Sequence, residues 1–123
     1  MKKATIAATL AATVAAVTAA HGADIQEGKR EFNKCRACHT LEAGKNRIGP
    51  TLHGLFGRKA GTVPHYAYSS AMKDSGIVWN KKTLMTYLKN PRQLVKGTKM
   101  AFPGIKDHEA REDLIAYLKK ATR

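Results

Sequence analysis

Cys35-Arg36-Ala37-Cys38-His39 is the stretch on which the reading of this 123-residue chain turns. Two cysteines separated by two residues and followed at once by a histidine match the C-x-x-C-H pattern of covalent c-type haem attachment. Two thiols can add across the two vinyl groups of a porphyrin, and the spacing lets one turn of backbone reach both. The adjacent histidine then falls under the iron, where an imidazole nitrogen can ligate it. Other chemistries could use the same cysteines. A C-x-x-C pair can be a redox dithiol, but that motif sits at a strand–helix junction, and no βαβ unit is visible here. A zinc site asks for more ligands than this pair and His39 supply. Cys35 and Cys38 are the only cysteines, and the immediate histidine favours haem.

Upstream of the motif the chain opens with Lys2 and Lys3, an uncharged Ala- and Thr-rich run, and small residues around Ala20-His21-Gly22-Ala23. This is the pattern of a secretory signal peptide, assigned to residues 1–22, with Ala20 or Ala23 as other possible last removed residues. The run is marginal as a membrane span, which makes an uncleaved anchor the alternative. Residues 23–123 then form one domain with a small core. The whole chain carries 22 Lys and Arg against 9 Asp and Glu. Without Lys2 and Lys3 the balance is 20 against 9, a formal charge of +11. A field that positive suits acidic protein surfaces or anionic lipid, and export leaves nucleic acid the least suitable partner. Export places the mature domain in the periplasm.

Within the domain the periodicity is helical. Ile25, Gly28 and Phe32 share one face of a helix expected over about residues 24–35. Gly28 costs about 1 kcal/mol in helix propensity against Ala, so its presence suggests a second helix passing too close for a side chain. Residues 40–70 read as loop, punctuated by Gly and Pro. A loop that long needs something to wrap, and Leu52, Leu55, Phe56, Tyr66 and Tyr68 could supply contacts to haem. Short helices are expected at 70–74, 81–89 (after an Asn80 N-cap) and 91–95. A final helix is expected at 108–120, N-capped by Asp107 and buried through Ala110, Leu114, Tyr117 and Leu118. No alternating strand run appears, so the fold class is all-α with long loops.

His39 is the first axial ligand by position. His53, His65 and His108 read as solvated surface residues, with a bis-histidine site as the alternative. The sixth position could be filled by His, Met, a small molecule or nothing. Met72 and Met85 lie in helical segments and read as core. Met100 lies in a loop bounded by Gly97 and by Pro103-Gly104, free to be presented inward, and it leads on local context.

These motifs together resemble class I cytochrome c, in particular the mitochondrial type and its small bacterial relatives. The resemblance rests on C-R-A-C-H, G-P-T-L-H-G-L-F-G-R, Trp79, T-L-M-T-Y-L-K-N-P, G-T-K-M-A-F-P-G and R-E-D-L-I-A-Y-L-K-K-A-T, and spans the mature chain. It implies a few helices and long loops around one haem c per chain, held by two thioethers at Cys35 and Cys38. It further implies crossed first and last helices, with Gly28 and Phe32 against Leu114, Tyr117 and Leu118. His39 and Met100 would ligate the iron. The Pro50 carbonyl would accept the other ring N–H of His39, and Tyr87 would bond near the Met100 sulfur. Arg58, Tyr68, Ser69 and Trp79 would surround the propionates, which need partners if buried. Members of the family commonly carry a polar residue, often Asn, where this chain has Met72, so an ordered-water network near the haem is expected to differ here.

Lys34, Lys45, Arg92, Lys99 and Lys106 match or lie near the basic ring around the family's exposed haem edge. The resemblance thus implies a monomeric, soluble electron carrier rather than an enzyme. Its expected donors are quinol–cytochrome c oxidoreductase or dehydrogenases. Its expected acceptors are a terminal oxidase, a peroxidase or a photosynthetic reaction centre, met through acidic docking surfaces with at most peripheral membrane contact.

Overall fold

The computed structural model describes residues 2–15 and 22–123. Residues 2–15 carry no helix or strand and are exposed. Met1 and residues 16–21, including Ala20 and His21 of the expected cleavage region, lie outside the described residues. Among the described residues no helix is long and apolar enough to cross a membrane.

Asp24 starts the folded domain. Its carboxylate accepts from the N–H groups of Gln26 and Glu27, two of the donors a helix start leaves without partners, and so caps α1, Ile25–Glu31. The expected single helix to residue 35 instead tightens into a 3₁₀ turn at Phe32–Lys34, closed by Cys35 N–H to Phe32 O at 2.8 Å. Tighter i→i+3 bonding is a common way for a helix end to satisfy its last carbonyls. The remaining helices are α2 at Ser70–Lys73, α3 at Lys81–Lys89, α4 at Pro91–Leu94 and α5 at His108–Ala121. The only β pairing among the described residues is a single antiparallel bridge between Lys59 and Val78. The architecture is therefore all-α.

Caps place these helices where turn chemistry predicts. Asn80 accepts from Thr83 N–H while Thr83 Oγ1 accepts from Asn80 N–H, a capping box on α3. Asn90 caps α4, with Pro91 in its first turn, and Asp107 caps α5. Gly76, at φ +67°, follows the end of α2.

α1 packs on α5 at Gly28. A Cβ there would lie 2.6 Å from the Asp113 carbonyl carbon and 2.8 Å from Tyr117 Cβ, so glycine is required by space, as the sequence suggested. Phe32 meets Tyr117 with ring centroids 5.4 Å apart, and Leu114 is 0% exposed. Asp113 Oδ1 also accepts the Asp24 N–H at 2.7 Å, which ties the start of α1 to α5. Around this pair the core runs through Leu55, Met72, Trp79, Leu84, Tyr87 and Leu88. The long loop is held by its own polar groups: Thr40 Oγ1 donates to Lys45 O at 2.7 Å, and Gly54 N–H donates to Thr122 O at 2.6 Å.

Candidate haem site

The loops and helices enclose one large, mostly apolar cavity of about 400 Å³. Cys35, Cys38, His39, Pro50, Arg58, Tyr68, Ser69, Trp79, Tyr87 and Met100 all line it. Every residue expected to hold haem or iron is thus brought to one space by segments up to 65 positions apart. Phe56 differs from expectation: it packs against the core but does not line the cavity. His53, His65 and His108 are exposed and outside the lining, so among the described residues His39 is the only cavity histidine.

The Cys35–His39 segment is a turn. Cys38 N–H and His39 N–H both donate to Cys35 O, at 3.1 and 2.9 Å, which gathers the three side chains onto the cavity wall. The thiols are free and half-buried. Burial, only partly offset by Lys34, pushes the Cys35 thiol up to about 11. A catalytic redox dithiol needs the opposite, a thiol acidic enough to be a thiolate at neutral pH. No group of three or more His, Cys, Asp and Glu side chains suited to a metal ion occurs among the described residues, which speaks against a zinc site.

His39 Nδ1 lies 2.8 Å from Pro50 O. A carbonyl can only accept, so Nδ1 carries the proton and Nε2 keeps its lone pair. Burial, with a smaller contribution from Arg58, holds the imidazole below its usual range despite the Pro50 bond, so the ring is neutral at pH 7. That is the state in which an imidazole can donate to a metal. The Met100 sulfur accepts from Tyr87 OH at 3.5 Å, and Tyr87 OH lies 2.9 Å from Thr98 Oγ1. If the phenol proton points to sulfur, Thr98 must donate to the phenol oxygen, which gives an ordered Thr98→Tyr87→Met100 chain. Burial pushes the Tyr87 phenol up, so it remains a donor.

Arg58 donates to His53 O at 2.7 Å and Thr51 O at 3.1 Å, and no carboxylate pairs with it among the described residues. Its charge is left for an anion in the cavity. Tyr68 OH accepts from Val63 N–H at 3.1 Å and keeps its own proton to donate. Ser69 Oγ accepts from Met72 N–H and caps α2, a structural role beside the expected one. Met72 is 8% exposed and lines the cavity as a thioether without a polar partner.

An apolar chamber of this size, two thiols on one turn, a neutral imidazole with a free nitrogen, a polarised thioether and an unpaired guanidinium fit a haem and its two propionates. Of the expected docking cations, all five are exposed. Lys34 and Lys99 line the cavity itself, and Lys99 Nζ donates to Ala67 O at 2.9 Å. Arg92 borders an adjacent smaller cleft with Ala101 and Phe102. Lys45 and Lys106 lie outside both linings, and Lys34 and Lys45 each pair with a glutamate three residues earlier. Gly49, Thr98 and Ile48 belong to the lining without having been singled out by sequence. Only Gly49 carried a signal, a glycine directly before the Pro50 whose carbonyl was expected to hold His39.

A family model described as cytochrome c matches residues 25–122. Cytochrome c of Gibberella zeae is 53% identical over 104 residues, covering 83% of this chain and 98% of the relative. Cytochrome c of Arabidopsis thaliana is 50% identical over 102 residues, covering 81% and 91%. The solved structure of cytochrome cH from Methylobacterium extorquens is similar at a TM-score of 0.75 and 47% identity, covering 79% of this chain and 98% of that one.

Proposed function

This chain belongs to the cytochrome c family of electron carriers bearing one covalently attached haem c, and from that membership we propose a soluble, exported, monomeric carrier with His39 and Met100 as its axial ligands. Cys35 and Cys38 would hold the porphyrin through two thioethers. The observation that carries the ligand assignment is the pairing within one cavity of a neutral His39 fixed by Pro50 and a Met100 sulfur bonded by Tyr87. When bound, the haem supplies a one-electron ferric–ferrous couple.

The residues shape that couple. Pro50 strengthens the His39 donor by accepting its N–H, while the soft Met100 thioether favours the reduced metal. With both ligands anchored, little has to move on electron transfer. The apolar walls would exclude water, and Arg58, Tyr68, Ser69 and Trp79 would receive the propionates. Lys34 and Lys99 in the cavity lining and Arg92 at the adjacent cleft supply the positive rim. Such a rim attracts acidic partners, and screening over about 10 Å at 0.1 M salt keeps the contact transient. Suitable partners are a quinol–cytochrome c oxidoreductase or dehydrogenase as donor and a terminal oxidase, peroxidase or reaction centre as acceptor. The basic, uncharged and small-residue pattern of residues 1–22 supports export to the periplasm.

A redox titration followed by visible spectroscopy tests cofactor, ligation and function together. A single reversible one-electron transition between low-spin states, with no rapid cyanide or carbon monoxide binding, is the expected outcome. Rapid, tight ligand binding by the native protein would show an open iron position and overturn the carrier reading in favour of a peroxidase or gas sensor. Colourless protein on a denaturing haem-stained gel, after production in a haem-competent periplasm, would overturn thioether attachment at Cys35 and Cys38.

A further inference from the structure

Gly49 is buried in the segment that runs beside His39. Its φ lies outside the left-handed region, so backbone conformation does not demand glycine there. Space does. A Cβ at residue 49 would come within 2.7 Å of His39 Nδ1 and 2.9 Å of Nε2, and closer still to the Cε1 between them. Two ring nitrogens nearly as near as the carbon they flank is the signature of an approach onto the ring face, not its edge. The backbone at residue 49 therefore lies against the imidazole plane.

Residue 49 cannot easily recede. Its N–H donates to Cys38 O at 2.8 Å and its carbonyl accepts from Arg47 N–H at 2.9 Å. The first bond belongs to the same turn that carries the two thiols. One residue further on, Pro50 O takes the Nδ1 proton at 2.8 Å. Two consecutive residues thus bound the ring in different ways: one against its face, one at its Nδ1.

We propose that Gly49 is a positioning residue for His39, its missing side chain setting the plane in which Nε2 is presented and keeping the Nδ1–H···Pro50 bond in line. The inference rests on the reading of His39 as an axial ligand. An added methyl at position 49 must tilt or displace the ring, because the atoms it meets belong to a side chain held at both ends. A tilted ring loses part of its bond to Pro50. An imidazole whose N–H is less well bonded is a weaker donor, so the ferric state loses stabilisation and the reduction potential rises.

Gly28 provides the control, since a Cβ there meets Asp113 and Tyr117 with comparable severity and none of its three nearest atoms belongs to His39. The experiment compares holoprotein carrying Gly49→Ala with holoprotein carrying Gly28→Ala, reading potential, melting temperature and the paramagnetically displaced ring protons of His39 in the ferric state. Expected for Gly49→Ala are an upward shift in potential and displaced His39 ring signals. Expected for Gly28→Ala are a lower melting temperature with both of those quantities at parent values. Parent-like potential and ring signals in Gly49→Ala, or equal changes in both variants, would overturn the proposal. If Gly49→Ala yields no holoprotein, the parent decides. A ring held in one plane gives one set of His39 signals whose displacement follows inverse temperature, and departure toward an averaged pattern overturns the proposal. His39 signals with no paramagnetic displacement in the parent would instead remove the ligand reading itself.

Discussion

At the scale of single residues, the proposed Met100 ligand is what would separate an electron carrier from a ligand-binding haem protein, and Tyr87 is its hydrogen-bond donor. Met100→Ala should open the iron, lower the potential and admit cyanide to the ferric protein, all read by spectroelectrochemistry. An unchanged spectrum and potential would mean another group is the ligand. Tyr87→Phe removes the donor to the Met100 sulfur and takes the phenol from Thr98 Oγ1, which keeps only the Met100 N–H at 3.4 Å. The thioether then donates more strongly, so the potential should fall, and stability should drop by about 0.5–1.5 kcal/mol in a denaturant titration. The same phenol links stability to pH. Its folded value is raised, chiefly by burial, from an ordinary 10.0. The folded state therefore holds that proton longer than the unfolded state, so the contribution is complete below pH 10 and is lost as pH rises beyond it. Tyr87→Phe should accordingly lose less stability than the parent on moving from neutral pH to above 10. The buried Met72 belongs to the same wall. Its thioether adds a buried sulfur without a polar partner to that lining.

At the scale of elements, the α1–α5 pairing and the start of α3 are where substitutions should cost most away from the cavity. Gly28→Ala forces a side chain into the Asp113 backbone. Overpacking of this kind typically costs about 1–3 kcal/mol. A domain of this size loses about 4–8 °C in melting temperature per kcal/mol, so calorimetry on the holoprotein resolves it. Asn80→Ala removes one half of the α3 capping box and should cost about 1 kcal/mol. Helix existence and type were legible because caps and apolar spacing are local: Asn80, Asn90 and Asp107 announce their helices. The 3₁₀ ending of α1 was not legible, because the choice between i+3 and i+4 bonding at Phe32–Lys34 depends on how Phe32 seats against Tyr117. Arg111 was missed for the same reason. It reads as a surface charge on an amphipathic helix, yet it is 5% exposed and donates to Ile105 O and Lys106 O at 2.7 and 2.8 Å. Only the return of the preceding loop over α5 buries it.

For the whole molecule, the formal charge of +11 left without Lys2 and Lys3, 20 Lys and Arg against 9 Asp and Glu, makes association electrostatic in its rate. Electron exchange with an acid-surfaced redox partner should slow steeply as salt rises, read by stopped-flow mixing. Lys99→Gln at the cavity mouth should lower that rate more than Lys120→Gln on α5. Equal effects would show that net charge matters and the rim does not. Lys99 also bonds Ala67 O, so the variant's potential should be measured alongside its rate to separate docking from a change in the cavity lining.

The sequence by itself determined the cofactor and the helices, and with the family resemblance it pointed to His39 and Met100 as the groups proposed for the iron. C-x-x-C-H is a chemical requirement compressed into five consecutive residues, and capping and periodicity act over a few residues more. Tertiary structure decided everything that depends on distance through space. It brought Thr98 to Tyr87, left Arg58 without a carboxylate, buried Arg111, and laid residue 49 against the face of His39. Those relations arise only when a loop packs onto a distant turn, and the side chain that reveals the last of them is the one glycine lacks.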